Sequence, residues 1–320
     1  MDCTGKSKRG YMPKVVVVGD TDADFYYLVD HIPTWDEGVL VTECFYKPGG
    51  KGANTASVLS TLGIDTGILS VIGNDENGKR SLLELEKNRV NTDGMIIADG
   101  YETYHCIVML DKTGEKAYLV RTTEIVYPLP EHLIQKEKFL CSAKHAHFIG
   151  INPSRMLPSI KVAKEHGITV SVDLDAAYPG LDECREVIEN SDIVLLNRQG
   201  AMGFFPSMDL KEMVHGLLAL GPSNVIITLG SDGAVAGNII GEYYEFPAYK
   251  VDVVDTAGSG DTFSGAIVYC VLNNMNLQDS LEFATAAAAI SIGEIGAQGA
   301  MPTSDAVQQF IEKRRGNNEH

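Results

Sequence analysis

Short apolar runs rich in β-branched residues recur along the chain. The first is "KVVVVGD" (Lys14 to Asp20), and "TGILSVIG" (Thr66 to Gly73) follows. Later come "AHFIGI", "ITVSVDL", "DIVLLN" and "NVIITLG". Each is far shorter than the ~20 residues that span a bilayer. The first two lack the apolar–polar alternation of a strand with one wet face, so they read as strands buried on both faces. Helical stretches such as Ser154 to His166 and Asp182 to Glu189 separate them. Strand, helix and strand in repetition mean right-handed crossovers, so the chain predicts an α/β fold, a three-layer α/β/α arrangement about a mostly parallel sheet. Ligands of such sheets bind beyond the carboxyl ends of the strands.

Two segments break this rhythm, at about 24–46 and 100–122. The first contains "YYLVDHIPTWDEGVLVTECFY", aromatic and β-branched without helical period. The second contains "HCIVMLDKTGEKAYLV", two alternating runs about the turn "DKTG", a hairpin pattern. Together they predict a small antiparallel sheet lying off the body as a lid; edge strands of the main sheet are the alternative. The remainder predicts a single domain over 14–310. Residues 1–12 are basic without an apolar stretch, so they read as a disordered leader and not as a secretory signal.

The formal net charge of the 320-residue chain is −17. So acidic a surface repels nucleic acid and anionic membrane, and phosphate has to be handled at a local site. The six cysteines (Cys3, Cys44, Cys106, Cys141, Cys184 and Cys270) are scattered without a Cys-x-x-Cys pair. That points to a reducing cytoplasm and away from a disulfide framework or zinc site.

Three stretches carry candidate chemistry. In "DTAGSGDTFSGAIVYCVL" the glycines precede a run in which Phe263, Ala266, Ile267, Cys270 and Val271 recur at helical spacing. A glycine loop at a helix N-terminus is an anion site, because backbone N–H groups and the helix dipole meet there. Asp261 beside it is either a general base for a hydroxyl attacking phosphorus or a helix N-cap. In "YKPGGKGANTASVLSTLG" a second glycine turn feeds a helix through Asn54, Val58, Leu59 and Leu62. Lys51 lies among its glycines, at an anion site or a hinge. In "GDTDADF" Asp20, Asp22 and Asp24 stand at a strand end, where they suit a polyol, a metal or a solvated turn. "GNDENGKR" nearly matches a P-loop, but Arg80 stands where the magnesium-binding hydroxyl is needed, so it reads as a loop and helix start. His145 and His147 read as packed strand histidines. The chain has no G-x-G-x-x-G, H-E-x-x-H or G-x-S-x-G.

"GGKGANTA" early and "DTAGSGDTFSGA" roughly 200 residues later resemble the two signatures of the PfkB family of carbohydrate kinases, its ribokinase-like members most closely. The resemblance spans about Lys14 to Pro302. It implies a ribokinase-like body with a small β-sheet lid, magnesium–ATP as donor and a sugar or nucleoside as acceptor. It makes Asp261 the base and the backbone of Ala257, Gly258, Ser259 and Gly260 the anion hole. It assigns the acceptor to Asp22, Asp24, Gly50, Lys51, Asn54 and Asn152, and the nucleotide to Asn197, Thr228, Gly230 and Gly233. It also implies a monovalent-cation site, for potassium, on Asp255, Ala257, Ser291, Glu294, Gly296 and Ala300. Three residues depart from the family pattern. Asp22 stands where asparagine is common, Asn152 where a sugar-contacting glutamate is usual, and Gly200 replaces the glutamate of an Asn-x-x-Glu motif.

The predicted function is ATP-dependent phosphorylation of a hydroxymethyl group on a small sugar. The alternatives are a nucleoside, ketohexose or modified-sugar kinase of the same family, or a non-catalytic sugar sensor. The exposed edge of a lid sheet invites pairing with a second copy.

Overall fold

The computed structural model describes residues 12–121, 123–150, 152–174 and 182–317. The predicted leader, Met12 apart, lies outside them. In chain order the elements are β1 (Val15–Val18), β2 (Asp22–Val29), β3 (Val41–Gly49), α1 (Lys51–Thr61), β4 (Thr66–Gly73), α2 (Glu76–Lys87), β5 (Asn91–Ala98), β6 (His105–Asp111), β7 (Lys116–Arg121) and α3 (Pro130–Leu140). Then follow β8 (His145–Ile149), α4 (Pro153–Glu165), β9 (Thr169–Asp173), α5 (Asp182–Glu189), β10 (Ile193–Asn197), α6 (Arg198–Phe204) and α7 (Leu210–Leu218). The chain finishes with β11 (Asn224–Thr228), β12 (Ala234–Asn238), β13 (Tyr243–Phe246), α8 (Ser259–Leu272), α9 (Leu277–Ser291) and α10 (Ser304–Asn317).

The main sheet has nine strands among the described residues, in the order β13-β12-β11-β10-β9-β8-β1-β4-β5. Pairing is parallel from β11 through β5, and β12 and β13 add an antiparallel edge. The four valines of β1 explain the layers. Val16 and Val18 pack into the core that carries α3, α4 and α7, whereas Val15 and Val17 pack into the opposite core with α1. Side chains alternate across a strand, so a run with no polar position serves two helical layers at once. His145 and His147 are fully buried on β8 and both bond the Ser171 hydroxyl.

The second sheet has the order β3-β2-β6-β7. It is mixed rather than wholly antiparallel, since β2 runs parallel to β6. The predicted hairpin is β6–β7. Tyr26, Cys106, Val108 and Leu110 form its own small core, against which Phe45, Leu28 and Ile295 pack. Alternation along β6 buries Cys106, Val108 and Leu110 and leaves their neighbours half-exposed. The sheet therefore rests one face on the body, at the loop that holds Ile295.

Candidate active site

Five helices of the body begin with a side chain folded over their first turn. Asp75, Asn152, Asn197, Asp209 and Asn276 each accept a backbone N–H in this way. α1 and α8 do not. They start from Gly50 (φ 90°) and Gly258 (φ 71°), with no side-chain cap. A left-handed φ there suits glycine, and at α8 the absence of a side-chain cap leaves first-turn N–H groups for an external acceptor. A Cβ at Gly258 would sit 2.7 Å from the Ala297 Cα, whereas nothing lies within 4 Å of a Cβ at Gly260. The loop is thus closed toward the body and open toward a ligand.

The two glycine-started helix ends converge. Gly265 lets α8 close on α1, since a Cβ there would lie 3.0 Å from Val58. This contact brings Asn54 of α1 to Asp261 of α8, with the amide nitrogen donating to Oδ2 at 2.8 Å. Asp261 is the third residue of α8, and the N-cap is Gly258, so the carboxylate is not the helix cap. Gln298 donates to the Asn54 oxygen at 2.9 Å, and Asn88 donates to the Gln298 oxygen at 2.8 Å. The relay fixes which end of the Asn54 amide faces Asp261. Burial pushes the Asp261 carboxyl up to about 6, against the pull of Lys51 and Asn54; the charges of Asp173 and Asp20 add to the rise. A carboxylate so placed is ionised at neutral pH yet basic enough to accept a proton.

Asp20, at the end of β1, accepts the Gly52 N–H at 2.9 Å and ties the strand to the start of α1. Asp22 and Asp24 lie two apart on β2 and share a face. Gly49 pairs with Asp22 across the ladder, and a Cβ at Gly49 would collide with both carboxylates. Asp22 is 7% exposed, and its Oδ1 has no hydrogen-bond partner. Burial and then the Asp24, Asp20 and Asp261 charges hold Asp22 well above the usual carboxylate range. Burial and then Asp20, Asp255 and Asp261 raise Asp24 to about 7. Buried acceptors without donors await donors from a ligand, and a polyol supplies them. Asn152 is turned otherwise, its side chain capping α4 by accepting from Arg155 N at 3.2 Å.

On the other side of Asp261 lies a cavity of about 550 Å³. Thr228, Gly230 and Gly233 line it from the β11–β12 turn, Ser259 and Gly260 from the glycine loop, and Phe263 is among its apolar lining residues. A planar base and a polyphosphate match these two walls. Asn197, outside this lining, ends β10 and takes the Gly200 N–H on its side-chain oxygen at 2.8 Å. Among the described residues no three His, Cys, Asp or Glu side chains gather to hold a metal.

The residues expected to hold a monovalent cation are arranged differently. Asp255, Ala257 and Gly296 do meet, but about the Asp255 carboxylate. Oδ1 accepts the Ala257 N–H at 2.8 Å, Oδ2 the Gly296 N–H at 2.9 Å and the Tyr26 hydroxyl at 3.3 Å. The Lys116 ammonium, from the lid, bonds Oδ1 as well. Ser291 gives its hydroxyl to the Ala288 carbonyl at 2.9 Å, and Glu294 is exposed. Ala300 is half-buried in the turn after Gly299.

Sequence reasoning missed Asp173, Gln298 and Lys116. Asp173 stands at the carboxyl end of β9 and accepts from Ser264 of α8 at 2.6 Å. The strand-end rule that singled out Asp20 applies to it equally.

The geometry agrees with the comparisons. The family model for the pfkB family carbohydrate kinases matches residues 12–304. An ATP-dependent ribose-1-phosphate kinase of Halopiger xanaduensis is 29% identical, over 95% of this chain and 99% of its own. A ribokinase of Bacillus subtilis is 27% identical, over 94% and 100%. The crystal structure of ribokinase from Thermotoga maritima superposes with a TM-score of 0.80 at 27% identity, over 94% and 100%. The chain belongs to the pfkB family of carbohydrate kinases.

Proposed function

We propose that this ATP-dependent sugar kinase phosphorylates a hydroxymethyl group of a small, unphosphorylated sugar, with Asp261 as the base. The observation that carries the proposal is the hydrogen bond from Asn54 to Asp261, between two glycine-started helix ends. The acceptor lies against Asp22 and Asp24, and the nucleotide occupies the cavity behind Gly260. Asp261 takes the proton of the acceptor hydroxyl. The oxygen attacks the γ-phosphorus, the bond from the β,γ-bridging oxygen to the γ-phosphorus breaks, and ADP leaves. The N–H groups of Gly258 and Gly260 stabilise charge on the moving phosphoryl group. Magnesium, bound to the triphosphate, screens its charge. The lid closes over the sugar and excludes water.

The acidic residues of the acceptor site argue against an already phosphorylated sugar, such as the one named for the ribose-1-phosphate kinase relative. A phosphorylated acceptor wants cations, and Asp20, Asp22 and Asp24 crowd the site instead. The test is ADP release with magnesium–ATP over pentoses, ketohexoses, nucleosides and ribose 1-phosphate, with Asp261→Asn as the blank. Loss of the base lowers turnover by about 10²–10⁴. Turnover by Asp261→Asn close to wild type would refute the base. Preference for ribose 1-phosphate would refute the electrostatic reasoning about the acceptor. Saturable sugar binding without turnover would mark a sensor.

Two further attributes belong to the proposal. The exposed lid side chains Val41, Tyr118, Leu119 and Val120 support pairing with a second copy. The free state of Cys44, Cys106, Cys141, Cys184 and Cys270 supports a cytoplasmic protein.

A further inference from the structure

The loop that carries the anion hole is held from above by a charge that the chain supplies itself. Lys116 is the first residue of β7, just past the hairpin turn, and its side chain is 10% exposed. Its ammonium meets Asp255, whose side chain is fully buried. With Ala257 N, Gly296 N and Tyr26 Oη, the two carboxylate oxygens take four donors in all. A metal ion needs oxygens with free lone pairs, and here both are engaged by N–H and O–H groups. Tyr26 and Lys116 both belong to the lid, while Ala257 and Gly296 belong to the body. The Asp255 carboxylate therefore has no lone pair left for the monovalent cation expected from the resemblance.

We propose that Lys116 takes the place of that cation, so that the lid, on closing, delivers the positive charge that orders the anion-hole loop. Lys116 is a positioning residue. It touches neither acceptor nor phosphate, and acts through Asp255, which accepts the Ala257 N–H directly before Gly258. Two consequences follow from the geometry. The enzyme works without potassium, and the loop is fully formed only when β7 lies on the body. An open lid withdraws the ammonium and leaves Asp255 buried without its counter-charge, which disfavours a charged carboxylate there. ATP bound without an acceptor thus faces an incomplete anion hole, and idle hydrolysis is suppressed.

This inference rests on the kinase reading above, but its failure can be told apart from failure of that reading. The first measurement is turnover of the full-length enzyme on its acceptor in potassium, sodium, caesium and tetramethylammonium chloride at equal ionic strength. Rates equal within error in all four salts are expected. The second is Lys116→Ala, with Lys116→Arg as the conservative variant. Lys116→Ala in tetramethylammonium should lose about tenfold to a hundredfold in kcat, with little change in KM for ATP. Potassium or ammonium ions should restore part of that loss, and Lys116→Arg should keep most of the activity. The third needs no activity. Crystals of the wild type soaked in thallium(I) should show no anomalous peak at Asp255, and crystals of Lys116→Ala should show one. Strong stimulation of the wild type by potassium, or a thallium peak at Asp255 in the wild type, would overturn the proposal. So would a Lys116→Ala enzyme as fast as wild type in tetramethylammonium. The wild-type arms decide the matter even if the alanine variant misfolds.

Discussion

Asp24→Asn should make the free protein more stable, and the gain should grow with pH. An ordinary aspartate ionises at 3.8, and Asp24 in the fold at about 7. Between these values the folded chain holds a proton that the unfolded chain has released. Stability is then lost as pH rises, at about 1.4 kcal/mol per unit, until the folded carboxyl also ionises. Asparagine stands for the protonated acid at every pH. The variant should therefore gain about 4 kcal/mol at pH 8 and about 2 kcal/mol at pH 5. At ~2.1 cal/mol/K of unfolding entropy per residue, a chain of this length melts higher by about 1.5 °C per kcal/mol. The melting temperature should rise by about 6 °C at pH 8 and by about 2–3 °C at pH 5. Thermal melts of both proteins without ligand, from pH 5 to 8.5, check this. A gain that does not change with pH would refute the electrostatic account, since packing or hydrogen-bond effects of the amide carry no such slope. The same variant should bind its acceptor more weakly, raising KM. A group retained at that thermodynamic cost serves the ligand rather than the fold.

The pH profile of kcat/KM reports the base in the free enzyme. With Asp261 raised to about 6 by burial, activity should fall about tenfold per unit below that pH, because the carboxylate must be ionised to accept the proton; a flat profile down to pH 5 would exclude it. Gly258→Ala forces a side chain into φ 71° and against Ala297, so kcat should fall by about tenfold or more. Gly63→Ala is the control: φ there is 98° with nothing within 4 Å, and only about 1 kcal/mol of stability should be lost, with kcat unchanged.

The body strands legible in the sequence are those buried on both faces, where most positions are apolar, and the lid hairpin β6–β7 was legible from its alternation about a turn. β5 was not, because Thr92 and Asp93 interrupt it near its start. β12 and β13 were not either. β12 (AVAGN) is rich in Ala and Gly and β13 (YYEF) mixes aromatic and acidic residues, so neither carries a clear period, and they pair antiparallel at the edge, where the demands on sequence are weaker. The same division runs through the site. Glycines before Asp261 show that a backbone must stay bare, whatever the tertiary contacts. Asn54 was legible as a polar residue at a helix start, but its partner Asp261 lies 207 residues away, and only the fold brings the two together.

Lys116 marks the limit most clearly. In "DKTGEKAYLV" two lysines four apart look alike, and composition favours a solvated turn for both. Lys112 does lie outside, paired with Asp30 on the lid surface. Lys116 begins the strand, opposite Leu110 in the register of β6 and β7, on the side that turns toward the body. Which lysine is buried depends on strand pairing and on where the lid rests, neither of which is local. A carboxylate such as Asp255 is similarly silent. Its neighbours in sequence say that a loop follows, and only the fold says that the counter-charge comes from the lid. Where a charge is supplied across a moving interface, residue type predicts the chemistry of the site but not the source of the charge, and so not whether the enzyme depends on a salt in its medium.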